Sequence, residues 1–262
     1  AKQCELACSK ALGRCYKAAA QILVENNTPP ISDETFQATE KLFTCAPATE
    51  ADQASWDFGV RLVNKLPLSS KPDIPLKAVI HRLQRLRAGA QPGCSRSRNS
   101  HLAHVLSVPF GPKAMHAWCQ DWAHGSVPSE VAKVWTPGHV KALGKPSGGI
   151  RPITLFEAPL KLATGVLLDT QMQKTIKVLT PHQFGAMLSC GAEQMVHILR
   201  SVALSSPSDS TVFASTDVKN AFGNAPRDQV LHSVIQHIPE FGRILVPLWN
   251  NGPIQLHMPT TS

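Results

Sequence analysis

The chain has 262 residues, with 26 lysines and arginines against 18 aspartates and glutamates, a net charge of +8. Its 43% apolar content suffices for one large core or two ordinary ones, which sets aside intrinsic disorder, and the basic balance points to polyanions, nucleic acid first. Seven scattered cysteines with no C-x-x-C pair signal neither a disulfide framework nor a zinc ribbon, and no apolar run nears the roughly 20 residues of a membrane span, so a soluble intracellular protein without a membrane partner is expected.

Residues 1–26 carry Leu6, Leu12, Tyr16, Ala19 and Leu23 at helical spacing, and "NNTPPISDETF" breaks that helix before a second one near 33–45. Cys4 and Cys8 lie one turn apart and Cys15 two turns on; with no convincing fourth ligand they read as small thiols on a helix rather than as a zinc site. From Ile74 to Gln120 there is no Asp or Glu, while Lys77, Arg82, Arg85, Arg87, Arg96, Arg98 and Lys113 give +7. Within it, "PLKAVIHRLQRLRAG" puts Val79, Leu83 and Leu86 on one helical face, and "GAQPGCSRSRNS" reads as a flexible basic loop. Contact with phosphates and a plain solvated face both remain open for this stretch.

Residues 105–132 read as short helices punctuated by "VPFGPK" and "GSVP", with Trp118, Trp122, Trp135 and Trp249 assigned to the core. The character changes after Ser129: extended runs at Val134–Leu143 and Ile150–Phe156 flank the turn signal Lys145-Pro-Ser-Gly-Gly149, a hairpin with Lys141, Lys145 and Arg151 near its turn. A helix is expected over 158–177. The segment "LTPHQFGAMLSCG" leads to another over 192–204 with Val196, Leu199, Val202 and Ala203 inward. Thr211–Val218 reads as a strand, and Pro226 opens a helix whose apolar face is Val230, Leu231, Val234, Ile235 and Ile238.

Asp217 ends that strand, where a carboxylate is costly to bury unless it is paired or holds a metal. A lone strand-end aspartate is more often a helix N-cap or turn acceptor than a metal ligand.

Three stretches in order, "GKPSGGIRPI" (144–153), "HQFGAMLSCGAEQMVHILR" (182–200) and "FASTDVKNAFGNAPRDQVL" (213–231), resemble the fingers and first palm motif of reverse transcriptases of non-LTR retrotransposons. The resemblance covers about half of the chain. It implies an α+β fold: a helix-rich basic N-terminal region over 1–128, then polymerase-like fingers and an incomplete palm over 129–262. It implies that the Asp217 carboxylate and the Val218 carbonyl ligate Mg²⁺, in a reaction where a primer 3′-hydroxyl attacks a deoxynucleoside triphosphate at two metal ions.

By the same resemblance Lys145 and Arg151 grip the triphosphate, with Arg151 able to hold phosphate oxygens by two parallel bonds. Phe222 lies against the sugar, and Gln183, Phe184 and Gly185 approach the template. Read without the family, Arg151 is a strand-end cation, Phe222 a core ring and Gln183–Gly185 an ordinary loop. The partners implied are an RNA template, a DNA primer and deoxynucleoside triphosphates.

Two departures stand out. Gly223 occupies the place of the family's usual Asn, and no adjacent Asp pair or Gln-Gly segment follows Asp217, after which only Asp228 and Glu240 are acidic. The ending "WNNGPIQLHMPTTS" resembles the strand ahead of that segment, so the chain is expected to be a C-terminally truncated fragment of an RNA-directed DNA polymerase, unable to polymerise alone. A non-catalytic nucleic-acid-binding remnant and a helical interaction protein are the alternatives.

Overall fold

The computed structural model describes residues 32–43, 49–145, 148–180, 182–205, 212–218, 221–249 and 256–257. The helix expected over 1–26, with Cys4, Cys8 and Cys15, lies outside them. Among these residues the fold is mixed and mostly helical, with one small sheet.

Two helices lead, α1 (Asp33–Phe43) and α2 (Glu50–Lys65). A capping box starts α2: the Asp52 amide donates to Thr49 Oγ1 at 3.2 Å and the Thr49 amide to Asp52 Oδ2 at 2.8 Å, satisfying donors the helix leaves orphaned. The Thr49 amide first, and its hydroxyl second, donate to Asp52 Oδ2 and hold the Asp52 carboxyl below its usual range.

The acid-free stretch folds as α3 (Leu76–Gln84), a loop, α4 (Asn99–His104) and α5 (Gly111–His124). As expected, Val79 and Leu83 are buried and Leu86 packs beside them. Gly125 ends α5 at φ 69°, where its amide donates to Trp122 O and that of Ser126 to Asp121 O; only glycine takes this left-handed cap freely.

Next comes α6 (Ser129–Trp135), where a strand start was expected. Pro128 sits at its N-cap, Lys133 pairs with Glu130 at 3.1 Å and Val134 is 70% exposed, so local helix chemistry overrides the β-branched signal. The hairpin itself forms from β1 (Gly138–Gly144) and β2 (Ile150–Leu155), paired antiparallel from His139↔Leu155 to Gly144↔Ile150. A short β3 (Leu256–His257) runs parallel to β1 on its other side, leaving β2 at the edge, where Pro152 costs no ladder bond in the interior.

The long helix expected over 158–177 is two, α7 (Ala158–Thr170) and α8 (Met172–Leu179), broken at Gln171. Thr170 Oγ1 donates to Leu167 O at 2.8 Å, a side-chain bond that competes with the next turn of helix. Helix α7 is the centre of the molecule, with Leu160, Leu162, Ala163, Val166 and Leu167 all buried. Helix α3 crosses it closely: a Cβ on Gly165 would lie 2.5 Å from Arg82 Nη2, and that guanidinium reaches on to Asp169 at 2.6 Å.

The larger core gathers Ile74, Val79, Leu83, Trp122, Leu162 and Leu167, so it joins segments on both sides of residue 128. Trp118 packs edge-on to Trp122 and Trp135, with centroids 5.9 Å and 5.0 Å away, and its Nε1 donates to Pro159 O. The tryptophans are core residues, as expected.

Then come α9 (Gly191–Ser205), α10 (Ala221–Asn224), α11 (Arg227–His237) and α12 (Pro239–Trp249). Leu231 and Ile238 are buried as the spacing of α11 predicts, and Leu231 meets Trp56 and Val63 in a second, smaller core. Arg243 ties α12 to the end of α2, its Nη2 donating to Leu66 O at 2.8 Å and Pro67 O at 3.3 Å.

Two expectations fail in this half. Val196, Leu199 and Val202 of α9 are 62%, 42% and 42% exposed and Ala203 is exposed too, because no described element covers their face. Residues 212–218, read as a strand, carry no regular secondary structure and are exposed throughout. Thr, Val and Phe favour a pleated, half-buried setting, but a strand also needs a neighbour for its amides and carbonyls, and no described residue supplies one.

Candidate nucleotide and nucleic-acid interface

The hairpin turn is built by glycine. Gly148 and Gly149 stand at φ 84° and 86°, while the Gly148 amide donates to Lys145 O and the Lys145 amide to Gly149 O, each at 3.0 Å. Directly opposed residues of an antiparallel pair share a face. The register sets Lys141 against Ile153 and Leu143 against Arg151, so Lys141 and Arg151 lie on one face, with Lys145 the next position of the same parity. Lys145 and Arg151 are exposed, and no salt bridge among the described residues uses any of the three.

Downstream, Gln183 Oε1 accepts the Gly185 amide at 2.7 Å, closing a tight turn, and Gln194 Nε2 returns to Ser189 O at 3.0 Å. His182, Gln183, Phe184 and Gly185 line an open groove of about 380 Å³ with Met195, Ile198 and Leu199 of α9. Gly191 makes this possible: a Cβ there would sit 1.8 Å from Phe184 O, so only glycine lets the loop fold back onto the helix start. The sequence marks it only as a Cys-Gly pair ahead of a helical run.

Asp217 and Val218 are exposed, Val218 at 66%, and Phe222 falls in the four-residue α10. Among the described residues no hydrogen bond or ion pair joins Asp217 to Lys145, Arg151 or the 183–185 turn. The Asp217 carboxylate and Val218 carbonyl could give Mg²⁺ two oxygens, yet no group of three His, Cys, Asp or Glu gathers among the described residues. A two-metal centre needs more carboxylate than this, so these residues alone do not fit one.

The loop between α3 and α4, expected to be flexible, is instead tied down at three points. Asn99 Nδ2 donates to Arg87 O at 3.0 Å, Lys161 Nζ to Gln91 O at 3.2 Å, and the Ser95 amide to Glu157 Oε1 at 2.7 Å, with the Ser95 hydroxyl on Oε2. Glu157 is 2% exposed at the N-cap of α7, where the helix dipole favours its charge. Gly93 packs against it with no room for a side chain. Burial, then the Glu157 charge, pushes the Cys94 thiol up; burial lowers the Lys161 ammonium, against an opposing pull from Glu157. Glu157 escapes a sequence reading because its partner lies 62 residues earlier.

No family model, no curated protein and no solved structure matches this chain.

Proposed function

We propose that the chain is the fingers and first palm segment of an RNA-directed DNA polymerase of retrotransposon type, holding one of the two carboxylate centres that the chemistry needs. The observation that carries this reading is the hairpin: two turn glycines and a register that puts Lys141 and Arg151 on one exposed face, with Lys145 at the bend. A guanidinium and an ammonium so placed, free of ion pairs among the described residues, suit the phosphates of a nucleoside triphosphate. The polymerase motifs supply the order hairpin, template turn, aspartate; Asp217 and Val218 would contribute oxygens to Mg²⁺ once a second carboxylate centre is present, and Phe222 would lie against the sugar.

The 262-residue chain by itself binds and does not polymerise under this reading. Its test is equilibrium binding of an RNA–DNA primer–template duplex, with and without Mg²⁺ and the next complementary deoxynucleoside triphosphate. The triphosphate should tighten binding, and Arg151→Ala should remove that gain by about tenfold or more, the value of a charge-assisted bond. A duplex affinity indifferent to the triphosphate, in both the parent and the variant, sinks the proposal.

A further inference from the structure

We infer that the loop between α3 and α4 is a preformed surface for the phosphates of a nucleic-acid backbone, separate from the hairpin, and that buried Glu157 is its positioning residue. The inference does not rest on the polymerase reading.

Charge comes first. Of the arginines in this stretch, Arg82 is neutralised by Asp169 at 2.6 Å. Arg85, Arg87, Arg96 and Arg98 are exposed and enter no salt bridge among the described residues. An ordinary solvated face mixes signs, whereas Ile74 to Gln120 holds no acid at all. Like charges crowded into a short loop repel one another unless a polyanion is present to meet them.

Conformation is the second argument. Arg96 stands at φ 61°, a left-handed setting that a non-glycine residue keeps only when its surroundings enforce it. The enforcement is visible: Asn99 ties the loop's end to Arg87 O, Lys161 holds Gln91 O, and Glu157 takes both the amide and the hydroxyl of Ser95. The Ser97 amide adds a bond to Ser95 Oγ at 3.1 Å between Arg96 and Arg98. Among the described residues Glu157 is the one carboxylate bonded to the loop, and its acceptors go to Ser95, so none of the loop's arginines is drawn into an ion pair with it. Ordering the loop during folding spares that entropy at binding.

Several guanidiniums on a rigid loop match a repeating phosphate chain, each contact releasing a condensed counterion. The experiment is fluorescence anisotropy with a single-stranded RNA and the DNA of the same sequence, titrated from about 50 to about 200 mM salt. With about 0.7 counterions released per single-strand phosphate, Arg87→Ala, Arg96→Ala and Arg98→Ala together should flatten the log–log salt slope by about 2 while the protein melts with the parent. Equal flattening for RNA and DNA identifies the phosphate backbone; flattening for RNA alone identifies RNA. An unchanged slope overturns the surface.

Glu157→Gln, which keeps the side chain's size, should weaken binding severalfold in the parent and not at all in the triple-arginine variant. Equal weakening in both backgrounds overturns the positioning role. Displacement of the RNA by polyglutamate at matched charge would make the partner an acidic protein and defeat the nucleic-acid assignment. Arg151→Ala reports on the hairpin alone, so loss of one surface with survival of the other separates this inference from the polymerase reading.

Discussion

Replacing Gly93 with alanine puts a methyl group where Glu157 already stands. A Cβ at this position lies 2.7 Å from Glu157 Oε1, 2.9 Å from its Cδ and 2.9 Å from its backbone nitrogen. The carboxylate could swing aside only by leaving the Ser95 amide and hydroxyl, which strands a buried charge. The backbone nitrogen, at the start of α7, has no such freedom. Overpacking a fixed site costs about 1–3 kcal/mol, and weakened bonds to a charged acceptor add to it, so a total of about 3 kcal/mol is the expectation. For a chain of this size that lowers Tm by about 6–12 °C. Scanning calorimetry measures it directly. A Tm within about 1 °C of the parent would mean that the loop and Glu157 do not meet as described, and the argument for a preformed arginine loop would fall with it.

Other consequences can be checked separately. Cys94 should alkylate more slowly than an unperturbed thiol, because burial and then Glu157 disfavour its thiolate; Glu157→Gln should speed it at mildly alkaline pH, read by site-resolved mass spectrometry, and an unchanged rate would place Glu157 away from the loop. Cys119, buried and pushed up to about 12, should stay unlabelled throughout in the native protein. Arg243→Met should cost about 2 kcal/mol in urea unfolding, because it takes the guanidinium donor from the Leu66 carbonyl, while Pro67 O keeps the Ser70 amide and hydroxyl; a loss below about 0.5 kcal/mol contradicts that tie. Thr49→Ala should cost about 1 kcal/mol by removing the cap of α2. The Asp52 carboxyl is held low when folded, so its support is complete above the ordinary carboxylate range and fades as pH falls through the folded value; a pH–stability curve parallel to that of the Thr49 variant would refute this.

What the sequence makes legible follows from local rules. The glycine pair at 148–149 forces a turn and so fixes the hairpin, Pro226 starts α11, and the spacing of Val79 and Leu83 picks the inner face of α3. What it hides is set by distant partners. The run 212–218 has strand composition, yet no described strand lies beside it, and of the inward-facing pattern of α9 only Leu199 meets a described segment, the 182–185 turn. Glu157 is one acid before a helix until Ser95 folds onto it, and a stretch rich in Gly, Ser and Arg that composition marks as flexible becomes ordered by that carboxylate together with Asn99 and Lys161. Asp217 is the residue that the resemblance to reverse transcriptases singles out most clearly, and its surroundings among the described residues add no second carboxylate.

The polymerase reading is tested most directly by photocrosslinking the 262-residue chain to a deoxynucleoside triphosphate carrying a photoreactive base, with the attached peptides mapped by mass spectrometry. The account predicts labelling within residues 145–151 and around Asp217 to Phe222, competed by unmodified triphosphate and lost in Arg151→Ala. Labelling that ignores both competitor and variant, or that falls wholly outside these segments, would contradict it.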